Sequence, residues 1–225
     1  ALDEEAVYIA TDAEDLDAIL EAITTRTKLV FIAAPNNPTG TTNTRAELDE
    51  YFAAVPPHVL PVLDQAYLEY IDEPDYADGI EEYFKSGRRV LVLRTFSKIY
   101  GLAGERIGWA TGAPDLIATL NRIRGPFNVT GTGQAAAIAA LGDHDFVASS
   151  REHNRQWRGW LEAEIAALGN HGLRALPSQG NFILVLFEGD VSAETAYEGL
   201  IEAGGARVVY AWPSASIAGM GGEQA

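Results

Sequence analysis

Three short, almost wholly apolar runs, residues 28–33, 59–63 and 90–93, recur between stretches of helical spacing. A segment that is apolar at nearly every position has no side to turn to water, so it reads as a strand buried on both faces of a sheet. Alternation of such strands with helices predicts parallel strands joined by helical crossovers, an α/β architecture. The helices carry start signals. Thr11-x-x-Glu14 precedes Leu16, Ile19, Leu20 and Ile23, and Thr44-x-x-Glu47 opens a helix that ends before Pro56-Pro57. A further strand is predicted over 107–111, with helices over 114–122 and 133–141 and a long helix from about 145 to 168. After Gly172 the rhythm changes to strand 181–187, helix 192–203 and strand 207–211, which predicts a first domain over 1–143 and a smaller one over 144–225.

Each apolar run ends in chemistry. Ala34-Pro-Asn-Asn-Pro-Thr-Gly40 follows the first, Asp64-Gln-Ala-Tyr67 the second and Thr95-Phe-Ser-Lys-Ile-Tyr-Gly-Leu-Ala-Gly-Glu-Arg106 the third. Open α/β sheets gather ligand sites at the carboxyl ends of their strands. Taken singly, each polar residue is a turn former, and a Ser-Lys pair after a strand is commonplace. An amide, a carboxylate, a phenol and a lysine in this order are a different matter. Two hydroxyls, a lysine and a returning arginine suit a Schiff-base lysine beside a bound phosphate, since a guanidinium forks onto phosphate oxygens.

The three motifs together resemble the aspartate-aminotransferase superfamily of pyridoxal-phosphate enzymes. Within it, Arg94 to Gly104, Arg106-Ile-Gly-Trp109, Gly125-Pro-Phe-Asn-Val129 and Pro177-Ser-Gln-Gly-Asn-Phe182 resemble the histidinol-phosphate aminotransferases. The resemblance runs from about Asp3 to about Ala203. It implies a three-layer α/β/α large domain, partial here, with a mostly parallel sheet and a smaller C-terminal α+β domain. It also implies pyridoxal 5'-phosphate, a homodimer, a cytoplasmic setting, and transfer of an amino group from histidinol phosphate to 2-oxoglutarate in histidine synthesis. Carried over residue by residue, Lys98 would hold the cofactor and move the proton. Asp64 would pair with the ring nitrogen, and Tyr67 and Asn37 would bond the ring oxygen. Thr95, Ser97 and Arg106 would hold the phosphate. A cis Asn37–Pro38 bond is implied as well. Other outcomes on the same scaffold stay open, namely an aromatic aminotransferase, a phospho-amino-acid decarboxylase or an inert domain that kept the fold.

The family pattern is not followed everywhere. Against the resemblance, the chain begins a third of the way into the large domain, without the segment that cups the phosphate or the aromatic that stacks on the ring. The substrate-clamping arginine has no match, because Arg207 is not at the clamp position and nothing downstream is basic. A net charge of −16 argues against nucleic acid and anionic membrane as partners. With no cysteine there is no disulfide framework, and the four histidines lack ligand spacing. Gly131-Thr-Gly-Gln-Ala-Ala136 matches a loose dinucleotide fingerprint but follows no strand, so it reads as a small-residue helix start. Asp143 reads as a helix cap, and Trp157 and Trp160 as core positions of the long helix.

Overall fold

The computed structural model describes residues 15–204. Four strands, β1 (Leu29–Ala33), β2 (Leu60–Asp64), β3 (Leu91–Thr95) and β4 (Gly108–Thr111), form one sheet in chain order. β1, β2 and β3 are parallel, with Ala33 beside Asp64 and Asp64 beside Leu93. This register sets the three carboxyl ends at one edge. β4 returns antiparallel, with Gly108 opposite Thr95. A Cβ on Gly108 would stand 2.9 Å from the Arg94 carbonyl oxygen, so glycine is what lets this strand approach.

One sheet face is closed by α1 (Leu16–Ala22) and α2 (Arg45–Ala54), together with a wide helical turn over Gly79–Phe84. Val30, Ile32, Leu63 and Val92 from the strands meet Ile19, Leu48, Tyr51, Phe52 and Tyr83 in a single core. Thr44 caps α2 with the full reciprocal box: its hydroxyl accepts from the Glu47 N–H while the Glu47 side chain accepts from the Thr44 N–H. The start of α1 departs from expectation. Its N-cap is Asp15, in extended conformation, whose carboxylate accepts from Ala18 N–H; Thr11 and Glu14 lie outside the described residues.

Among the described residues the other face is covered only in part, which corrects the expectation for the first run. Leu29 and Phe31 are 51% and 62% exposed, while Val62 and Leu91 on the same face are buried. Nearer the site, Ala137 of α4 (Gly131–Gly142) packs on Phe96 and Ile107. That helix starts at the glycine pair under a Thr130 cap, with no strand before it. α3 (Pro114–Ile123) precedes it, with proline at its first turn.

α5 (His144–Ala167) runs about 36 Å at 1.5 Å per residue, capped by Asp143, whose side chain accepts from Phe146 N–H. It packs on β5 (Leu173–Ala175), which pairs antiparallel with β6 (Val185–Phe187), and α6 (Ala193–Glu202) follows. β5 was not anticipated, and β6 is shorter than the predicted 181–187. The predicted strand 207–211 lies outside the described residues. Trp157 and Trp160 meet edge to face but are half exposed rather than core. Among the described residues, no helix is long and apolar enough to cross a membrane.

Candidate active site

A cleft of about 310 Å³ opens at the carboxyl edge of the sheet, lined by Asp64, Leu93, Thr95, Ser97, Lys98 and Arg106, with Arg94 beside them. A larger hollow of about 430 Å³ lies between α5 and β5, walled by Arg158, Arg174 and Gln179. Size does not choose between them. Only the smaller cleft combines a lysine, a carboxylate and the hydroxyls of the sequence motifs.

Asp64 ends β2 half-buried. Burial pushes its carboxyl above the ordinary value, opposed by the Ala66 N–H that it accepts and by the nearby charge of Lys98. Lys98 follows β3 by three residues, and its ammonium sits 4.6 Å from the centroid of the Tyr67 ring. The Tyr67 oxygen accepts a 2.8 Å hydrogen bond from Asn37 Nδ2, which leaves the phenol's own hydrogen able to donate. Three strand ends thus supply one continuous chain of contacts: amide, phenol, ammonium. The loop that carries Asn37 holds cis bonds at Ala34–Pro35 and Asn37–Pro38.

The residues expected to meet the phosphate divide. Thr95 Oγ1 accepts from Ser97 N–H at 3.0 Å and donates to the Ile107 carbonyl at 3.3 Å, so its hydroxyl fixes the turn that presents Ser97. Ser97 Oγ accepts from Arg106 at 3.5 Å, and that guanidinium also donates to the Ala103 carbonyl at 2.8 Å. Arg106 holds a left-handed backbone at φ 55°, a conformation that costs a non-glycine residue on the order of 1 kcal/mol and clusters at functional sites. Its side chain is thereby returned to the cleft across from β3.

Two residues that lie within the motifs but to which the sequence reading assigned no role support this wall. The Arg94 guanidinium reaches Asp78 at 2.6 Å and lies 5.5 Å from the Trp109 ring centroid. Gln65 is fully buried and bonds the Ala77 carbonyl, the Gly79 N–H and Tyr76, whose hydroxyl donates to the Ala34 carbonyl at 2.7 Å. Asp78 had a local signal, an acidic residue before Gly79-Ile80 as a helix start; its pairing with Arg94 sixteen residues on had none.

The donor set fits a phosphorylated pyridine aldehyde. A carboxylate stands on one wall for a cationic ring nitrogen, an amine for the aldehyde, and a hydroxyl and guanidinium for the phosphate. Among the described residues no group of His, Cys, Asp and Glu could hold a metal ion. The model of the family aminotransferase class I and II matches residues 5–215. The chain belongs to the aminotransferase class I and II family. Two relatives are the histidinol-phosphate aminotransferases of Sphingopyxis alaskensis, 59% identical over 192 residues, and Zymomonas mobilis, 56% identical over 189. These alignments cover 85% and 84% of the chain but 52% and 51% of the relatives, so the chain spans about half their length. The histidinol-phosphate aminotransferase of Sinorhizobium meliloti, solved in complex with pyridoxal-5'-phosphate, superposes with a TM-score of 0.76 at 33% identity. That match covers 88% of this chain and 53% of the other. As an aminotransferase-family sheet, the observed order places all three motif loops on one edge.

Proposed function

We propose that the protein is a pyridoxal-phosphate-dependent aminotransferase that exchanges the amino group of histidinol phosphate with 2-oxoglutarate, in histidine synthesis. The observation that carries this is the Asn37–Tyr67–Lys98 chain of contacts, whose lysine lines the cleft together with Asp64. The names of the relatives select the substrate. A homodimer, a cytoplasmic setting and a small domain from residue 144 belong to the same proposal.

When bound, the cofactor supplies an electrophilic aldehyde carbon and a ring that accepts the electrons left at the substrate Cα. Lys98 would offer the primary amine for the aldehyde and, as a free amine, a base for the Cα proton. The Asp64 carboxylate would pair with a positive charge on the ring nitrogen, which would offset the cost of its burial. Tyr67, with its oxygen accepting from Asn37, would have its hydroxyl hydrogen to donate to the ring oxygen. Ser97 and Arg106 would hold the phosphate, and Thr95 fixes the turn that presents Ser97.

The test is borohydride reduction after incubation with pyridoxal phosphate, followed by peptide mapping. The label is expected on Lys98 and is lost in Lys98→Ala. A label that persists elsewhere in that variant refutes the assignment. Bleaching of the cofactor band by histidinol phosphate and not by phenylalanine is the expected substrate result.

A further inference from the structure

Tyr67 is 5% exposed, and its ring is held on three sides. Lys98 and Asn37 account for two of them. On the third, the Phe182 ring meets it edge to face, with centroids 5.2 Å apart at 73°. Phe182 arrives from a loop beyond β5, far along the chain, and that loop is tied down at several points. Gln179 N–H donates to the Gly40 carbonyl at 2.7 Å. Gly40 sits at φ +78° against Ser178: a Cβ there would overlap Ser178 Oγ and lie 2.6 Å from Ser178 Cβ. Buried Ser178 in turn donates to the Phe182 carbonyl at 2.6 Å and accepts from Gly180 N–H at 3.1 Å. From α5, Asn154 donates to the Gly180 carbonyl at 3.1 Å. Gln179 Oε1 also accepts from Asp72 N–H at 3.2 Å, next to the Asp72–Arg158 ion pair.

We infer that Phe182 is a positioning residue for Tyr67, locked by a clasp in which Ser178 and Gln179 close on Gly40. The clasp grips the same 36–41 loop that carries Asn37, so it fixes both partners of the phenol–amide hydrogen bond at once. The inference rests on the proposed function only for its effect on turnover. The mechanical part concerns this chain's own residues. An aromatic edge holds a ring's tilt where an aliphatic group of similar area does not, because the ring edge is positive and the facing π-cloud negative. Without it, Tyr67 can tilt within its pocket. Its hydroxyl and the face beneath Lys98 then move together.

The experiment uses the holoprotein with 3-fluorotyrosine at position 67 and compares wild type with Phe182→Ala, Phe182→Leu, Phe182→Tyr and Ser178→Ala. The ¹⁹F resonance is expected to move in the Ala and Leu variants at 182 and in Ser178→Ala, and to return toward wild type in Phe182→Tyr. With it, kcat should fall by about tenfold, the scale of one aromatic pair, while KM stays within about twofold. An unmoved resonance and wild-type kcat in folded Phe182→Leu and Ser178→Ala overturn the inference, even if Phe182→Ala does not fold. Failure of the wild type to take pyridoxal phosphate on Lys98 overturns the proposed function instead. The resonance of the cofactor-free protein then still decides the clasp.

Discussion

Removing Asp78 should cost more stability than removing any surface ion pair of this chain. Arg94 is only 12% exposed, and its 2.6 Å bond to Asp78, itself 32% exposed, is its shortest polar contact. Arg94 Nε is already buried without a partner, and Gln65 Oε1 at 3.4 Å is a weak second acceptor. Asp78→Ala therefore strands a guanidinium inside the wall beside Thr95. Breaking a buried pair from one side costs about 3–5 kcal/mol, and the partial exposure of Asp78 places this one near about 3. Asp78 also caps the wide turn by accepting from Ile80 and Glu81 N–H, which adds about 1 kcal/mol. The sum, about 4 kcal/mol, corresponds to a urea midpoint lower by about 2 M at a slope of about 2 kcal/mol per molar. Lys85→Ala is the control, since its pair with Glu81 is more than half exposed on both sides and is worth about 0.3–0.5 kcal/mol. The pH dependence has a definite sign. Burial resists ionisation of Asp78, but the Arg94 bond and charge with the two N–H groups overcome it and hold the carboxyl below its ordinary 3.8. Its contribution is then present above the ordinary aspartate range and lost as pH falls through the lowered value, so the gap between variant and wild type should close in acid. Urea titrations in which Asp78→Ala loses less than about 1 kcal/mol at neutral pH would refute the reasoning.

Asp64 has the opposite sign: burial raises its carboxyl above 3.8, so its contribution to stability is full below the ordinary range and lost as pH rises through the raised value. Asp64→Asn should therefore melt higher than wild type at neutral pH without cofactor, and equally in acid, while losing turnover; a lower neutral melting temperature contradicts this. Tyr67→Phe removes the acceptor of the 2.8 Å bond from Asn37 and should cost about 1 kcal/mol, and Asn37→Ala should add little in that background by double-mutant cycle. Phe31→Thr, on the uncovered sheet face at 62% exposure, should change stability by less than about 0.5 kcal/mol and slow aggregation of the 225-residue chain in light scattering.

The strand ends were legible because apolar runs and the polar residues that stop them are local facts. Asp64, Lys98 and the 34–40 loop could be placed at a sheet edge from spacing alone, and the Thr44–Glu47 box from four residues. Contacts between distant segments left no such trace. Arg94 read as part of a motif, yet its partner Asp78 and its place over Trp109 depend on how β3 and β4 pair. Phe182 was visible as a family-like residue, but nothing local tied it to Tyr67. Arg88, in a charged pair just before β3, gives no local hint that it donates to the Phe52 carbonyl at 2.7 Å and lies over that ring. Trp157 and Trp160 misled in the other direction, since aromatic content at helical spacing does not say which face of a helix is covered. β5 was missed because three residues are too short for a periodicity to show.

A sheet whose strands lie side by side in chain order can be built as the polypeptide is made. Each new strand finds its neighbour already in place, with no gap held open for a later segment, although parallel pairs joined by helical crossovers form slowly. The polar groups therefore come into register in a fixed sequence: Asn37, then Asp64 and Tyr67, then Lys98, then Arg106 as β4 turns back. Phe182 comes 115 positions after Tyr67 (182 − 67), and the clasp can close only then. A nascent chain paused after β4 would already carry carboxylate, phenol and lysine on one shelf, before the aromatic edge that steadies the phenol has been synthesised.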